Sequence, residues 1–185
     1  MARWEPDAQG RLERAALDLY SERGYDQTTV ADIAERAGVT ERTFFRHFAD
    51  KREVLFRGDE LAQSIASALQ GVPDSVPPLD AVATALASTA TFFDERKPHS
   101  LKRQSVIKAN SALQERELIK LASMAAIMGD ALRSRGVAEP AASLTAQAGI
   151  GVFKVAFERW LADRSDRSFA VHIRESLAEL RAVMS

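Results

Sequence analysis

Arg42 and Arg46 stand four residues apart in the run GVTERTFFRHF, with Glu41 and Thr43 flanking Arg42. On a helix that spacing turns both guanidinium groups to one side. Arginine presents a planar fork of donors and is the commonest side chain for two-point hydrogen bonding to guanine in a major groove. Phe45 falls off the face that Phe44 and Phe48 share, which makes it an expected exposed aromatic. Lys51 lies in what reads as the first turn of the next helix, Asp50-x-x-Glu53, where a helix N-terminus with a lysine is a seat for a phosphate. A solvated surface lysine fits the same pattern. Other chemistries find little material. His47, His99 and His172 are far apart, and the chain has no cysteine. A Gly-rich phosphate loop and a nucleophile elbow are both missing, and the carboxylates are scattered among basic residues. No metal, cofactor or enzymatic activity is expected.

The elements that must position the arginines are written nearby. Val30, Ile33, Ala34 and Ala37 recur at helical spacing. Thr28 and Thr29 precede them, and Asp32 stands three residues after Thr29, as in a capping box. Gly38 stops this helix, Thr40 is the N-cap of the next, and Glu41 suits the positive end of its dipole. Two short helices joined by a tight turn form a helix-turn-helix, with the second helix exposed. A helix over 7–23 closes a three-helix core over them, using Leu12, Ala15, Ala16, Leu19 and Tyr20. Pro6 marks a boundary ahead of it, and Trp4 packs on the domain, is loose, or touches DNA.

After Lys51 the pattern predicts one long helix to about Gln70, then the linker GVPDSVPPL. Helical segments follow over 79–96, 101–110, 113–135, 141–163 and 167–184, with Pro98 interrupting and Pro140 starting a helix. The expected fold is all-α. Residues 1–50 form a helix-turn-helix domain and residues 51–185 a helical effector-binding and dimerisation domain.

Composition sets bounds. The chain has 185 residues, 46% of them hydrophobic, enough for a sizeable core. Its formal net charge of -1 argues against nonspecific coating of nucleic acid, though not against a sequence-specific reader with a few local cations. The opening MARWEPDAQGRLER lacks the apolar run of a signal peptide, and no stretch approaches a membrane span, so a cytoplasmic protein without membrane partners is expected.

Gly24-Tyr25, Thr28-Thr29-Val30, Ile33-Ala34, Ala37-Gly38-Val39-Thr40, Thr43-Phe44-Phe45, His47-Phe48 and Lys51 together resemble the DNA-binding domain of the TetR family of bacterial transcriptional regulators. The resemblance implies phosphate contacts by Thr29, Thr40, Phe45, His47 and Lys51. It implies base reading by Glu41, Arg42, Thr43 and Arg46. Tyrosine is more usual at the position of Phe45; phenylalanine can only pack there, against sugar or a thymine methyl. Residues 103–136 resemble the C-terminal domain of a branch that includes the mycofactocin regulators, which implies an acyl-CoA-like effector.

Phe92, Phe93, Met124, Met128 and Phe153 are candidates for an apolar effector pocket, and the same residues at helical spacing also serve as plain core. Gly151, Phe157, Trp160, Ile173, Leu177 and Leu180 are candidates for a homodimer interface built from the last two helices, which is favoured because helix-turn-helix readers pair on half-sites; the alternative is that they finish the monomer core. The expected function is a homodimeric regulator bound to palindromic half-sites of a double-stranded DNA operator, a repressor released by a small apolar effector. The competing expectation is a helical protein-interaction module that does not read DNA.

Overall fold

The computed structural model describes residues 7–56 and 59–184, and every regular element in that range is helical. Trp4 and Pro6 lie outside the described residues. The helices are α1 (Ala8–Arg23), α2 (Val30–Arg36), α3 (Glu41–His47), α4 (Glu60–Gln70), α5 (Pro78–Ala87), α6 (Ala90–Asp94), α7 (Lys97–Lys108), α8 (Ser111–Ser134), α9 (Ala141–Ala162) and α10 (Phe169–Met184), with a 3-10 turn at Glu53–Leu55. None of them is long and apolar enough to cross a membrane.

The chain forms two compact units. The first takes residues 1–58 together with 101–118; the second takes 59–100 and 119–185. Chain order alone had assigned everything after residue 50 to the second domain. The first unit's core is made by Leu12, Ala16 and Tyr20 of α1, Ile33 of α2 and Phe44 of α3, joined by Val106, Ile107 and Leu113 from far along the chain. Polar ties hold the same arrangement. Arg116 pairs with Glu53 at two points, its Nε and Nη2 donating to the two carboxylate oxygens. Arg103 stacks 4.9 Å from the Phe56 ring and donates to the Leu55 carbonyl at 2.8 Å.

The long helix expected after Lys51 is broken. Val54, Leu55 and Phe56 are all buried. Three consecutive residues cannot share one helical stripe, so the chain tightens into a 3-10 turn and α4 begins only at Glu60. The segment over 79–96 is likewise two helices. Ser88 Oγ and Thr89 Oγ1 donate to the carbonyls of Ala85 and Leu86 at 2.7 Å, and such local bonds compete with the helical ladder. Pro98 does not interrupt a helix. It sits in the first turn of α7, where a missing N–H leaves nothing unsatisfied.

The second unit buries Ile65 and Leu69 of α4, Val82 and Leu86 of α5, Met124 and Met128 of α8, and the inner faces of α9 and α10. Phe93 of α6 meets Phe153, Phe157, Trp160 and Phe169 with ring centroids 5.0–6.1 Å apart. Asp94 starts α10 from another helix, accepting from Ser168 Oγ at 2.6 Å and Phe169 N at 2.8 Å. Gly149 of α9 allows α5 to come close: a Cβ there would lie 2.5 Å from Val82 Cγ1.

Candidate nucleic-acid interface

Local chemistry builds the two short helices. Thr29 Oγ1 accepts from Asp32 N at 3.1 Å, and Thr29 N donates back to Asp32 Oδ2 at 2.8 Å, completing the capping box. Arg23 reaches the same carboxylate at 2.7 Å. The Thr29 hydrogen bonds first, and Arg23 after them, lower the Asp32 pKa to about 2. Gly38 turns the chain at φ 67°, a left-handed conformation that favours glycine, and Val39 N closes on Ala34 O at 2.9 Å. Thr40 caps α3 by accepting from Thr43 N at 3.2 Å. Phe44, fully buried, and Phe48 anchor one face of α3, their rings 5.6 Å apart.

That anchoring leaves the remaining faces of α3 outside. Glu41, Arg42, Arg46 and His47 are exposed and Thr43 is half-buried. Phe45 is 55% exposed, held edge-on against Phe44 at 5.4 Å. Thr29 and Thr40 are exposed beside them. The Thr29 hydroxyl is committed to Asp32, to which it donates at 2.6 Å. Of the expected contact residues, all but Lys51 therefore lie on the α2–turn–α3 surface.

Charge is sorted across this unit. Arg23 pairs with Asp32, Arg36 with Glu22, Arg52 with Asp50, Lys102 with Asp18, Arg103 with Glu117 and Arg116 with Glu53. Arg42 and Arg46 have no carboxylate partner among the described residues; one Arg46 amino group lies 3.5 Å from His47 Nε2. Positive charge without a carboxylate partner is thereby exposed on α3. Neutralised arginines elsewhere add little to attraction for phosphates, whereas these two are free to bond bases or backbone.

Lys51 departs from expectation. It precedes the 3-10 turn rather than opening a helix, and Asp50 caps that turn by accepting from Arg52 N and Glu53 N at 2.7 and 3.2 Å. Its ammonium points inward, donating to the carbonyls of Tyr25 and Thr28 at 2.9 Å each and lying 4.2 Å from the Tyr25 ring centroid. Tyr20 completes the clasp by donating its hydroxyl to Lys51 O at 2.6 Å. Burial pushes the Tyr20 phenol well above its ordinary pKa. The lysine thereby fixes the loop between α1 and α2 that sets the entry into α2. Sequence reading missed Tyr20 in this role. Its one signal was a phenol on a buried stripe, which needs an acceptor.

The other candidate residues fall differently. Phe93, Phe153, Met124 and Met128 are packed in the second unit's core, whereas Phe92 is 42% exposed under the Arg96 guanidinium at 4.3 Å. A cleft of about 240 Å³, lined by residues including Tyr20, Tyr25, Asp26 and Asn110, belongs to the first unit and touches none of these five. Of the dimer candidates, Trp160, Ile173 and Leu177 are at most 7% exposed and belong to the monomer core, the alternative open for them, which removes them from the expected interface. Phe157 and Leu180 are half-buried, and Gly151 is exposed with open space beside it. The outward apolar stripe of α9 consists instead of Leu144, Ala148, Gly151 and Val155, with Leu144 66% and Val155 47% exposed. Inside α10, His172 and Ser176 are buried polar residues; His172 Nε2 lies 3.0 Å from Asp163 Oδ2, and His172 Nδ1 and Ser176 Oγ have no protein hydrogen-bond partner. Each such group costs about 1–3 kcal/mol if left unpaired.

Comparison with known proteins agrees with this architecture. Residues 13–57 match the model of bacterial regulatory proteins of the tetR family, and residues 76–185 match that of the MftR C-terminal domain. A Mycobacterium tuberculosis protein named as the mycofactocin biosynthesis transcriptional regulator MftR is 31% identical over 160 residues, covering 83% of this chain and 80% of its own. Among solved structures, Bacillus subtilis FadR in complex with stearoyl-CoA superposes with a TM-score of 0.57 at 16% identity, covering 91% of this chain and 95% of its own. Thermus thermophilus FadR in complex with lauroyl-CoA gives 0.53 at 19% identity, with coverage of 92% and 91%.

Proposed function

This chain belongs to the TetR family of bacterial regulatory proteins, and on that premise we propose that it is a repressor, held on paired half-sites by α3 and released by a small apolar or acyl-CoA-like effector. Membership makes it a transcriptional regulator that binds DNA. The finer reading rests on one observation: Arg42 and Arg46 project from an anchored, exposed helix without carboxylate partners while the surrounding arginines are paired. In this reading Arg42 and Arg46, with Glu41 and Thr43, read base edges in the major groove. Thr40, His47 and the backbone around Thr29 meet phosphates, and Phe45 packs on sugar or a thymine methyl. Lys51 acts by positioning.

Two copies are needed to read a palindrome, with half-sites about 34–36 Å apart or at a multiple of that spacing. The stripe Leu144, Ala148, Gly151, Val155 supports α9 as the main contact between copies, with α10 beside it. Small residues there would let a partner helix approach closely, and an apolar stripe is otherwise poorly placed in water.

The effector reading draws on the MftR-type C-terminal domain and on the acyl-CoA complexes of the two FadR proteins. Its effect requires different affinities for the DNA-bound and released states. Gel shifts with the DNA flanking the protein's own gene test the core of the proposal. Retarded, sequence-competed complexes that dissolve when lauroyl-CoA is added are expected. Binding that any DNA competes equally would overturn it.

A further inference from the structure

The corner between α7 and α8 grips the first unit at both of the segments that Lys51 ties together. One is the 3-10 turn. Arg116 holds Glu53, 63 residues away along the chain, with both carboxylate oxygens engaged and the Nη2 bond at 2.8 Å. Arg103 donates to the Leu55 carbonyl at 2.8 Å, and the guanidinium groups of Arg103 and Arg116 lie 4.9 and 5.9 Å from the Phe56 ring centroid. The other segment is the loop between α1 and α2. Asn110 Oδ1 starts α8 by accepting from Ala112 N at 3.0 Å and Leu113 N at 3.3 Å, and its Nδ2 reaches both Asp26 oxygens at 3.4 Å. Val106, Ile107 and Leu113 seat the corner in the core, so apolar burial already holds it in place. The Arg116 and Glu53 side chains are only 18% and 23% exposed. An ion pair so far from water gives back in desolvation much of what it gains in attraction, and is weak as a source of net stability. Its two parallel bonds instead fix direction as well as distance.

We propose that Arg116, acting through Glu53, is a positioning residue for DNA binding: it fixes the segment from which Lys51 sets the entry into α2. The bonds run in sequence from α8 to the N-cap of α2. Arg116 holds Glu53. The backbone N–H groups of Glu53 and Arg52 share Asp50 Oδ1 at 3.2 and 2.7 Å, which shapes the chain on either side of Lys51. Lys51 then donates to the carbonyls of Tyr25 and Thr28 at 2.9 Å each. Thr28 N closes the same loop on Tyr25 O at 3.2 Å, and the next residue, Thr29, caps α2. Helix α3 follows α2 through the fixed turn at Gly38, so its placement inherits that of α2. A residue in the stretch 101–118, far along the chain from the helix-turn-helix, thereby helps aim it.

This inference rests on reading α3 as the helix that meets DNA, and the test separates the two. Fluorescence anisotropy with a labelled duplex from the DNA flanking the protein's own gene is recorded for the full chain, Arg116→Met, Lys51→Met and the double variant. Amide hydrogen exchange is followed on the same proteins without DNA. Arg116→Met is expected to bind the duplex about tenfold more weakly. Exchange at Thr28 N and Ile33 N should quicken at least about tenfold while amides in the middle of α1 keep their protection. In the Lys51→Met background the same substitution should cost at most about twofold, because the route through Lys51 is already cut. A merely stabilising arginine would cost the same factor in both backgrounds. Equal costs, an unchanged affinity, or protection lost alike in the loop and throughout α1 would each overturn the positioning role. Glu53→Gln, which keeps the side-chain shape and one acceptor, repeats the comparison where the double variant unfolds, with the same outcomes deciding. If the parent binds no such duplex specifically, the α3 reading falls, and the exchange pattern alone decides whether Arg116 fixes the loop.

Discussion

Replacing Lys51 with methionine distinguishes a positioning lysine from a phosphate contact. Methionine keeps most of the stem and removes the ammonium. That group donates to the Tyr25 and Thr28 carbonyls at 2.9 Å each. Hydrogen bonds to a charged group contribute about 1.5–3 kcal/mol each, and the cation over Tyr25 adds about 0.5–1 kcal/mol. Lys51 is only half-buried, and water can reach the Tyr25 carbonyl once the ammonium is gone. Discounting for that hydration leaves about 2–3 kcal/mol. With a urea slope near 2 kcal/mol/M, the unfolding midpoint of the first unit should fall by about 1 M. Fluorescence anisotropy with operator DNA, repeated across a series of salt concentrations, gives the second readout. A loosened entry into α2 weakens binding by the same factor at every salt concentration, so the slope of log affinity against log salt is unchanged. Loss of a phosphate contact flattens that slope by about 0.9 and leaves the urea midpoint alone. An unchanged midpoint with a flatter slope would refute the positioning role.

Arg42→Ala should cost about 1–3 kcal/mol of operator affinity and relax preference at one base position; equal loss on every sequence would make Arg42 a phosphate contact instead. Asp32→Asn probes the capping box through pH. The folded pKa of about 2 lies below the ordinary carboxylate value, so the stabilisation is complete above about pH 4 and disappears as pH falls toward 2. The stability gap between parent and Asp32→Asn should be flat from pH 7 to 5 and close below 4, and a gap that persists at pH 2 would contradict the assignment. Val155→Asp places a charge in the α9 stripe while the monomer stays folded, since the side chain is 47% exposed. An unpaired charge in an interface costs about 3–5 kcal/mol, so light scattering after size exclusion should show monomers. Dimers of parental stability would move the contact elsewhere.

The short helices of the reader were legible because their signals are local. Thr29 with Asp32, Gly38, Thr40, and Phe44 with Phe48 each act within a few residues, and each does what its spacing implies. The direction of the Lys51 ammonium was not legible, because its acceptors stand 23 and 26 residues away. Nor was the membership of residues 101–118 in the first unit, since an amphipathic stripe says that a face is buried and not which core buries it. The same ambiguity left Trp160, Ile173 and Leu177 between a dimer interface and the monomer core. A helix with apolar residues on two sides leaves open which side faces inward, and bulk decided it: the large rings filled the core, and the small residues with Leu144 and Val155 were left outside. His172 gave no sign of its buried state, because a histidine suits surface and interior alike.

The pairing of Arg14, Arg23, Arg36, Arg52, Arg103 and Arg116 with carboxylates has a consequence for how the protein finds its target. Attraction to an arbitrary stretch of duplex grows with the number of phosphates neutralised, each releasing condensed counterions. With only a small cationic patch to offer, the chain gains little from random duplex, and its background affinity stays low. A bacterial chromosome presents on the order of 10⁶ or more such competing stretches, so weak background affinity leaves more of the population free to search. If the chain acts as proposed, a few dimers then suffice to keep one operator filled, and modest amounts of effector to empty it.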